Sequence, residues 1–136
     1  MEVVVTWQGD QRFRAVTRAG AELVVDGESA GGPSPMETLQ IALATCMGID
    51  IVDILGKGRQ DVTACVLRVS GSRSEKPPHR FTALHLKVEV SGRNVTINKV
   101  DRAIKLSRDT YCSVWNSMAP DIDLSFEVEL LEAASA

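Results

Sequence analysis

Between Pro35 and Leu55 the chain places an apolar residue at almost every angle of a helix. Met36, Leu39, Ile41, Leu43, Met47, Ile49, Ile51, Val52, Ile54 and Leu55 cover nearly its whole circumference. The start is well marked: Ser34 caps, Pro35 suits the first helical position, and Glu37 closes a capping box with Ser34. Gly56 and Gly58 stop the helix, which makes a rod of about 30 Å. A helix that is apolar all round must be buried all round. A chain of 136 residues has only a small sheet to offer, and a sheet covers one side. A second copy of the chain on the other side resolves the conflict, so we expect an intimate homodimer with this helix central to the interface.

The remaining elements read as short strands and two helical segments. Val3, Val5 and Trp7 alternate with Val4 and Thr6. Gly9-Asp10 turns the chain into a strand over Arg12 to Thr17, and Gly20 turns it into Glu22 to Asp26. Gly27 to Pro33 is a loop. After the long helix, Val62 to Ser70 puts Cys65, Leu67 and Val69 on one face. Phe81 to Val90 sets Leu84, Leu86, Val88 and Val90 against His85, Lys87 and Glu89, the pattern of a half-buried antiparallel strand. Asn98 is read as the cap of a helix whose apolar stripe is Val100, Ala103, Ile104, Ser107 and Tyr111. Asp109 is read as restarting a second segment through Met118. Ile122 to Leu130 alternates cleanly as a last strand, and the tail Ala133 to Ala136 reads as a frayed end. The order βββ-α-ββ-αα-β describes one α+β domain over residues 1–136, built on curved antiparallel sheet.

Composition narrows the function. The 15 basic and 18 acidic residues give a net charge of -3, and no Lys/Arg run provides a nucleic-acid surface. The start of the chain has no signal-peptide pattern. The longest uncharged stretch, Thr38 to Ile49, falls short of the ~20 residues needed to cross a bilayer. We expect a soluble cytoplasmic protein in a reducing compartment. There, its three cysteines are buried filler, metal ligands or redox groups rather than a disulfide framework. His79 and His85, the two histidines, lie away from the cysteines and give no metal-ligand cluster, and no cofactor motif is present.

Cys65 sits mid-strand beside Leu67 and Val69, where a thiol serves as a small hydrophobe. With Asp109 as a cap, Cys112 falls at the third helical position, where free N–H groups and the helix dipole favour a thiolate. Cys46 lies deep in its helix, with Asp50 one turn on, and an ionised neighbour there disfavours a thiolate. Local chemistry alone thus ranks Cys112 as the more reactive. Asp50 and Asp53 need a charged or hydrogen-bonding partner, such as Lys57, Arg59 or an arginine from a second subunit.

Two stretches resemble a known family. Gly32 to Leu55, GPSPMETLQIALATCMGIDIVDIL, resembles the central helix of the OsmC/Ohr superfamily. Ala103 to Val114, AIKLSRDTYCSV, resembles its second cysteine motif, and the chain is most similar to the short YhfA-like branch. The resemblance implies an α+β, OsmC-like fold in an intertwined homodimer, with two central helices wrapped by antiparallel sheets. It implies a hydroperoxide reductase acting in oxidative stress defence at the dimer interface. By position Cys46 is the peroxidatic thiol and Cys112 the resolving one, restored by an external dithiol reductant without a bound cofactor. The peroxidase branches carry a glutamate directly after the helix-starting proline, ordering an arginine beside the peroxidatic thiol. Here that position is Met36; Glu37, one residue later, is about 100° round the helix, and Arg12 and Arg14, both nearby, do not clearly match the N-terminal arginine motif. These departures keep a second expectation open: an OsmC-like dimer without peroxidase activity that binds a small apolar or thiol ligand.

Overall fold

A computed structural model describes residues 1–132; the expectation of a frayed tail at Ala133 to Ala136 lies outside them. The chain divides into two compact units, Met1–Ile41 and Ala42–Ala136.

The first unit is the expected meander. Strands β1 (Val3–Trp7), β2 (Arg12–Thr17) and β3 (Glu22–Asp26) pair antiparallel in that order. Register sets Trp7 opposite Phe13, and Phe13 opposite Val25. Gly9 and Gly20 take φ of +99° and +92° at the two turns, a region open to glycine at no steric cost. Asp26, buried at the end of β3, ties down the glycine loop. Its carboxylate accepts from the N–H groups of Glu28 (2.9 Å) and Gly31 (2.8 Å). Those two bonds hold its pKa below the usual carboxylate value. The capping box forms as expected: Ser34 N–H donates to Glu37 Oε1 (3.0 Å) and Glu37 N–H to Ser34 Oγ (3.1 Å). Ser29 Oγ adds a bond to the same carboxylate at 2.7 Å.

Helix α1 runs Pro35–Lys57. Leu43, Met47, Ile51 and Leu55 repeat every fourth residue and are at most 2% exposed. On other faces Ile41, Ile49 and Val52 remain 53%, 63% and 43% exposed. The chain by itself therefore buries one stripe of this helix and leaves an apolar face open. Among the described residues, α1 is the one helix whose length and hydropathy would allow it to cross a membrane. Its buried stripe and its carboxylates, Asp50 and Asp53, fit the core helix of a soluble fold.

In the second unit β4 (Asp61–Arg73) and β5 (Phe81–Arg93) form an antiparallel hairpin, and β6 (Asp123–Glu132) lies on the other side of β5. Leu84, Leu86, Val88 and Val90 supply the buried face, with Val100, Ala103 and Ile104 of α2 (Ile97–Leu106). The outer face carries a polar ladder: Arg68 to Glu89 (2.9 Å), Lys87 to Glu129 (3.2 Å) and His85 to Ser125 (2.8 Å). The all-antiparallel expectation fails at one pairing, because β6 runs parallel to β5. Parallel neighbours need a crossover of a dozen or more residues, usually helical, and residues 94–122 supply it.

Helix α2 is capped by Thr96, whose side chain accepts from Lys99 N–H (3.3 Å), rather than by the expected Asn98. Tyr111 also departs from the buried stripe and is 58% exposed. The cause is a π-helical turn, Ser107–Tyr111. Its wider winding shifts the phase of every side chain that follows.

Candidate thiol site

Two elements carry the site. Cys46 is a partly buried residue in the third turn of α1. Gly48, half a turn on, lets α1 come close to β4: a Cβ there would lie 3.1 Å from Leu67 Cδ1. Cys112 follows the π-helical turn, which closes with its N–H donating to the Ser107 carbonyl at 2.7 Å. Cys112 then caps the four-residue helix α3 (Ser113–Asn116), its Sγ accepting from Trp115 N–H at 3.3 Å. Asn116 Nδ2 donates to the Cys112 carbonyl at 2.8 Å. Backbone and side chain are thus held at both ends, and Cys112 has no exposed surface.

The two thiols, distant in sequence, come near enough for Cys46 to raise the pKa of Cys112. No disulfide joins them, and Cys65 is free as well. Beside them Ser107 Oγ, fully buried, donates to Asp50 Oδ2 at 2.7 Å. That is the partner Asp50 was expected to need, a hydroxyl rather than a cation. Asp53 takes Lys57 instead, at 3.0 Å.

The ranking that made Cys112 the ionised thiol is overturned. Asp109 does not cap a helix; it sits inside the π-helical turn and binds Arg108 at 2.6 Å. Burial pushes the Cys112 thiol up to about 11, against the pull of the Trp115 N–H. The Cys46 thiol and the Asp50 charge push it further in the same direction. At neutral pH this thiol keeps its proton.

A stability prediction follows from that protonation. Between pH about 9 and 11 the folded chain keeps a Cys112 proton that the unfolded chain releases. Stability should therefore fall as pH rises through this window, by on the order of 2 kcal/mol. Denaturant titrations across the window should show the fall in the wild type and a smaller one in Cys112→Ala, where Cys65 alone contributes. An equal slope in both proteins would contradict the assignment.

Cys65 is half-buried, and burial raises its pKa too. It lines a groove of about 600 Å³ with Ala44, Thr45, Gly48, Ile49, Val52, Asp53 and Leu67. Within their own sheet, Arg12 pairs with Asp10 at 3.4 Å, and Arg14 pairs with Glu22. Glu37 is engaged in the capping box, and its bonds to Ser34 and Ser29 hold its pKa down. Among the described residues no group of three or more His, Cys, Asp or Glu side chains could hold a metal. Ser107 was missed as a site residue. Its signal was present: a hydroxyl on an otherwise apolar buried stripe, five residues before a cysteine.

With this geometry in hand, comparison with known proteins is informative. The sequence pattern of the family described as "OsmC-like protein" matches residues 26–127. The chain belongs to the OsmC-like family. Protein YhfA of Escherichia coli K12 is 35% identical over 134 residues, spanning 98% of this chain and 100% of YhfA. Among solved structures, a hypothetical protein from Aquifex aeolicus VF5 superposes with a TM-score of 0.88 at 29% identity. It covers 98% of this chain and 97% of its own. The organic hydroperoxide resistance protein OhrB of Bacillus subtilis superposes with a TM-score of 0.62 at 14% identity, covering 95% of this OsmC-like chain and 98% of its own. OhrB therefore shares the fold. The mixed α+β architecture with two sheets is that of the OsmC-like fold.

Proposed function

We propose that this OsmC-like protein is a thiol-dependent reductase of organic hydroperoxides, working as a cytoplasmic homodimer in oxidative stress defence. The observation that carries the reading is the nearness of the Cys46 and Cys112 thiols, close enough for Cys46 to raise the pKa of Cys112. Cys46 is the partly accessible member and Cys112 the buried one. That order suits a thiol that meets substrate and a thiol that waits behind it. In the first step the Cys46 thiolate attacks the terminal peroxide oxygen. The O–O bond breaks, an alcohol leaves after protonation, and Cys46 becomes a sulfenic acid. In the second step Cys112 attacks the Cys46 sulfur, giving a disulfide and water. An external dithiol then reduces the disulfide and is itself oxidised.

The homodimer rests on α1. A central helix that exposes Ile41, Ile49 and Val52 needs apolar cover, and a second copy of the same chain supplies it by symmetry. The OhrB likeness, through its name, agrees with hydroperoxide as substrate.

The test is single-turnover reaction of the reduced protein with cumene hydroperoxide, followed by thiol alkylation and intact mass. The wild type should lose two alkylatable thiols. Cys112→Ser should stop at a sulfenic acid on Cys46 that dimedone traps. Cys46→Ser should consume no peroxide, and an unchanged rate of peroxide loss in that variant would overturn the reading.

One set of observations favours a second reading, an OsmC-like dimer that binds a small apolar or thiol ligand without turning over peroxide. Met36 stands where the peroxidase branches have glutamate, and the meander's Arg12 and Arg14 pair with carboxylates of their own sheet. The groove beside α1 offers about 600 Å³ for such a ligand. In that case hydroperoxide leaves both thiols free to alkylation.

A further inference from the structure

We propose that Asp50 is the base that takes the Cys112 proton when the Cys46–Cys112 disulfide closes, and that Ser107 positions its carboxylate for the task. The oxidant of this cycle rests on the hydroperoxide reading above; the closure step can be tested without it. The argument begins with access. Cys112 has no exposed surface, so bulk water and hydroxide do not reach its sulfur. Its proton must pass to a group inside the protein. Asp50 is the carboxylate whose charge acts on that thiol. It lies one helical turn from Cys46 and is fixed by the buried Ser107 hydroxyl at 2.7 Å. Ser107 in turn accepts the Cys112 N–H through its carbonyl at 2.7 Å, so one residue locks both the base and the thiol.

Several charged groups on the neighbouring elements, among the described residues, have partners of their own. On α1, Asp53 pairs with Lys57. On the π-helical turn, Arg108 pairs with Asp109, and Tyr111 is exposed and acts on Lys57. On α2, Lys105 acts on Asp109. On the sheet, His85, Lys87 and Glu89 belong to the outer ladder.

The step balances. The Cys112 sulfur bonds to the Cys46 sulfur as the S–O bond of the sulfenic acid breaks. Asp50 receives the Cys112 proton and returns it to the departing hydroxide, which leaves as water. Asp50 ends as the carboxylate it began as. Cys112 is oxidised, the sulfenic sulfur is reduced, and no further reactant is needed.

A carboxylate that only repelled the thiolate would act in the opposite sense, and the two roles predict opposite signs. As a base, Asp50 makes closure nearly independent of pH through the neutral range. In Asp50→Asn the proton must leave as solvent permits. Closure at pH 7 should then slow by roughly 10²-fold, and its rate should rise about tenfold per pH unit. As a mere repulsive charge, its loss would speed closure.

The experiment uses the full chain with Cys65→Ser. Closure is started in two ways: by cumene hydroperoxide, and by loading Cys46 with a pyridyl disulfide, whose thiopyridone leaves when Cys112 attacks. A flat pH profile in the parent and a steep, slowed one in Asp50→Asn support the proposal. Ser107→Ala, which keeps the carboxylate, should slow closure while retaining the flat profile. Equal or faster closure in Asp50→Asn overturns the proposal. So does a parent rate that itself climbs tenfold per pH unit, which decides the matter even where Asp50→Asn does not fold. If peroxide starts nothing but pyridyl-loaded protein closes as described, the peroxidase reading fails and the Asp50 assignment stands.

Discussion

Ile51→Ala is expected to cost about 4 kcal/mol of folding free energy and to lower the thermal midpoint by about 15 °C. Ile51 has no exposed surface and sits in the middle of the stripe formed by Leu43, Met47 and Leu55. Truncation removes three carbons' worth of transfer free energy and leaves a cavity that its neighbours fill only in part. The stripe is the one face of α1 that this chain buries by itself, so the loss falls on the protomer's own core. Denaturant unfolding at fixed protein concentration measures it, since the proposed dimer would make stability concentration-dependent. A loss under about 1 kcal/mol would mean that the stripe is loosely packed.

Two residues earlier on the same helix, Ile49→Asp is expected to leave the protomer folded and to separate the dimer. Ile49 is 63% exposed in one chain, and a surface substitution of that kind costs a lone protomer about 0.5 kcal/mol or less. Covered by a second copy, the new carboxylate would lose its water without gaining a partner. That costs several kcal/mol, and symmetry places the change in both halves of the interface. Light scattering behind a sizing column should show a dimer for the wild type and a monomer for Ile49→Asp, with unchanged far-ultraviolet dichroism. A dimeric Ile49→Asp would move the interface away from this face of α1. The pair of substitutions separates what a single sequence merges, because both positions read as apolar and only one is used by the chain itself.

That merging explains how far the residues could be read. The capping box of Ser34 and Glu37, the glycine turns and the alternation along β5 are local codes, and each appears where its chemistry placed it. The pairing of β6 with β5 is not local. Alternation of Ile122, Leu124 and Phe126 says which face is inward and nothing about the direction of the neighbour. The cysteine chemistry was misread for a related reason. A dipole argument needs a helix boundary, and the boundary before Cys112 was moved by a π-helical turn that no periodicity signals. Resemblance, not spacing, is what proposes Cys46 and Cys112 as partners. The Ser107–Asp50 bond that ties α1 to the same place spans 57 positions and was invisible to any window along the chain.

The parallel docking of β6 also bears on how the chain is made. The open edge of β5 waits until the final described strand has been synthesised, because its neighbour lies beyond the crossover at residues 94–122. Until then a row of unpaired peptide groups beside Leu84, Leu86, Val88 and Val90 is available to any passing strand. A ribosome that stalls after α3 would therefore release a nascent chain with a sticky margin, and completion of the ten residues of β6 is the event that seals it.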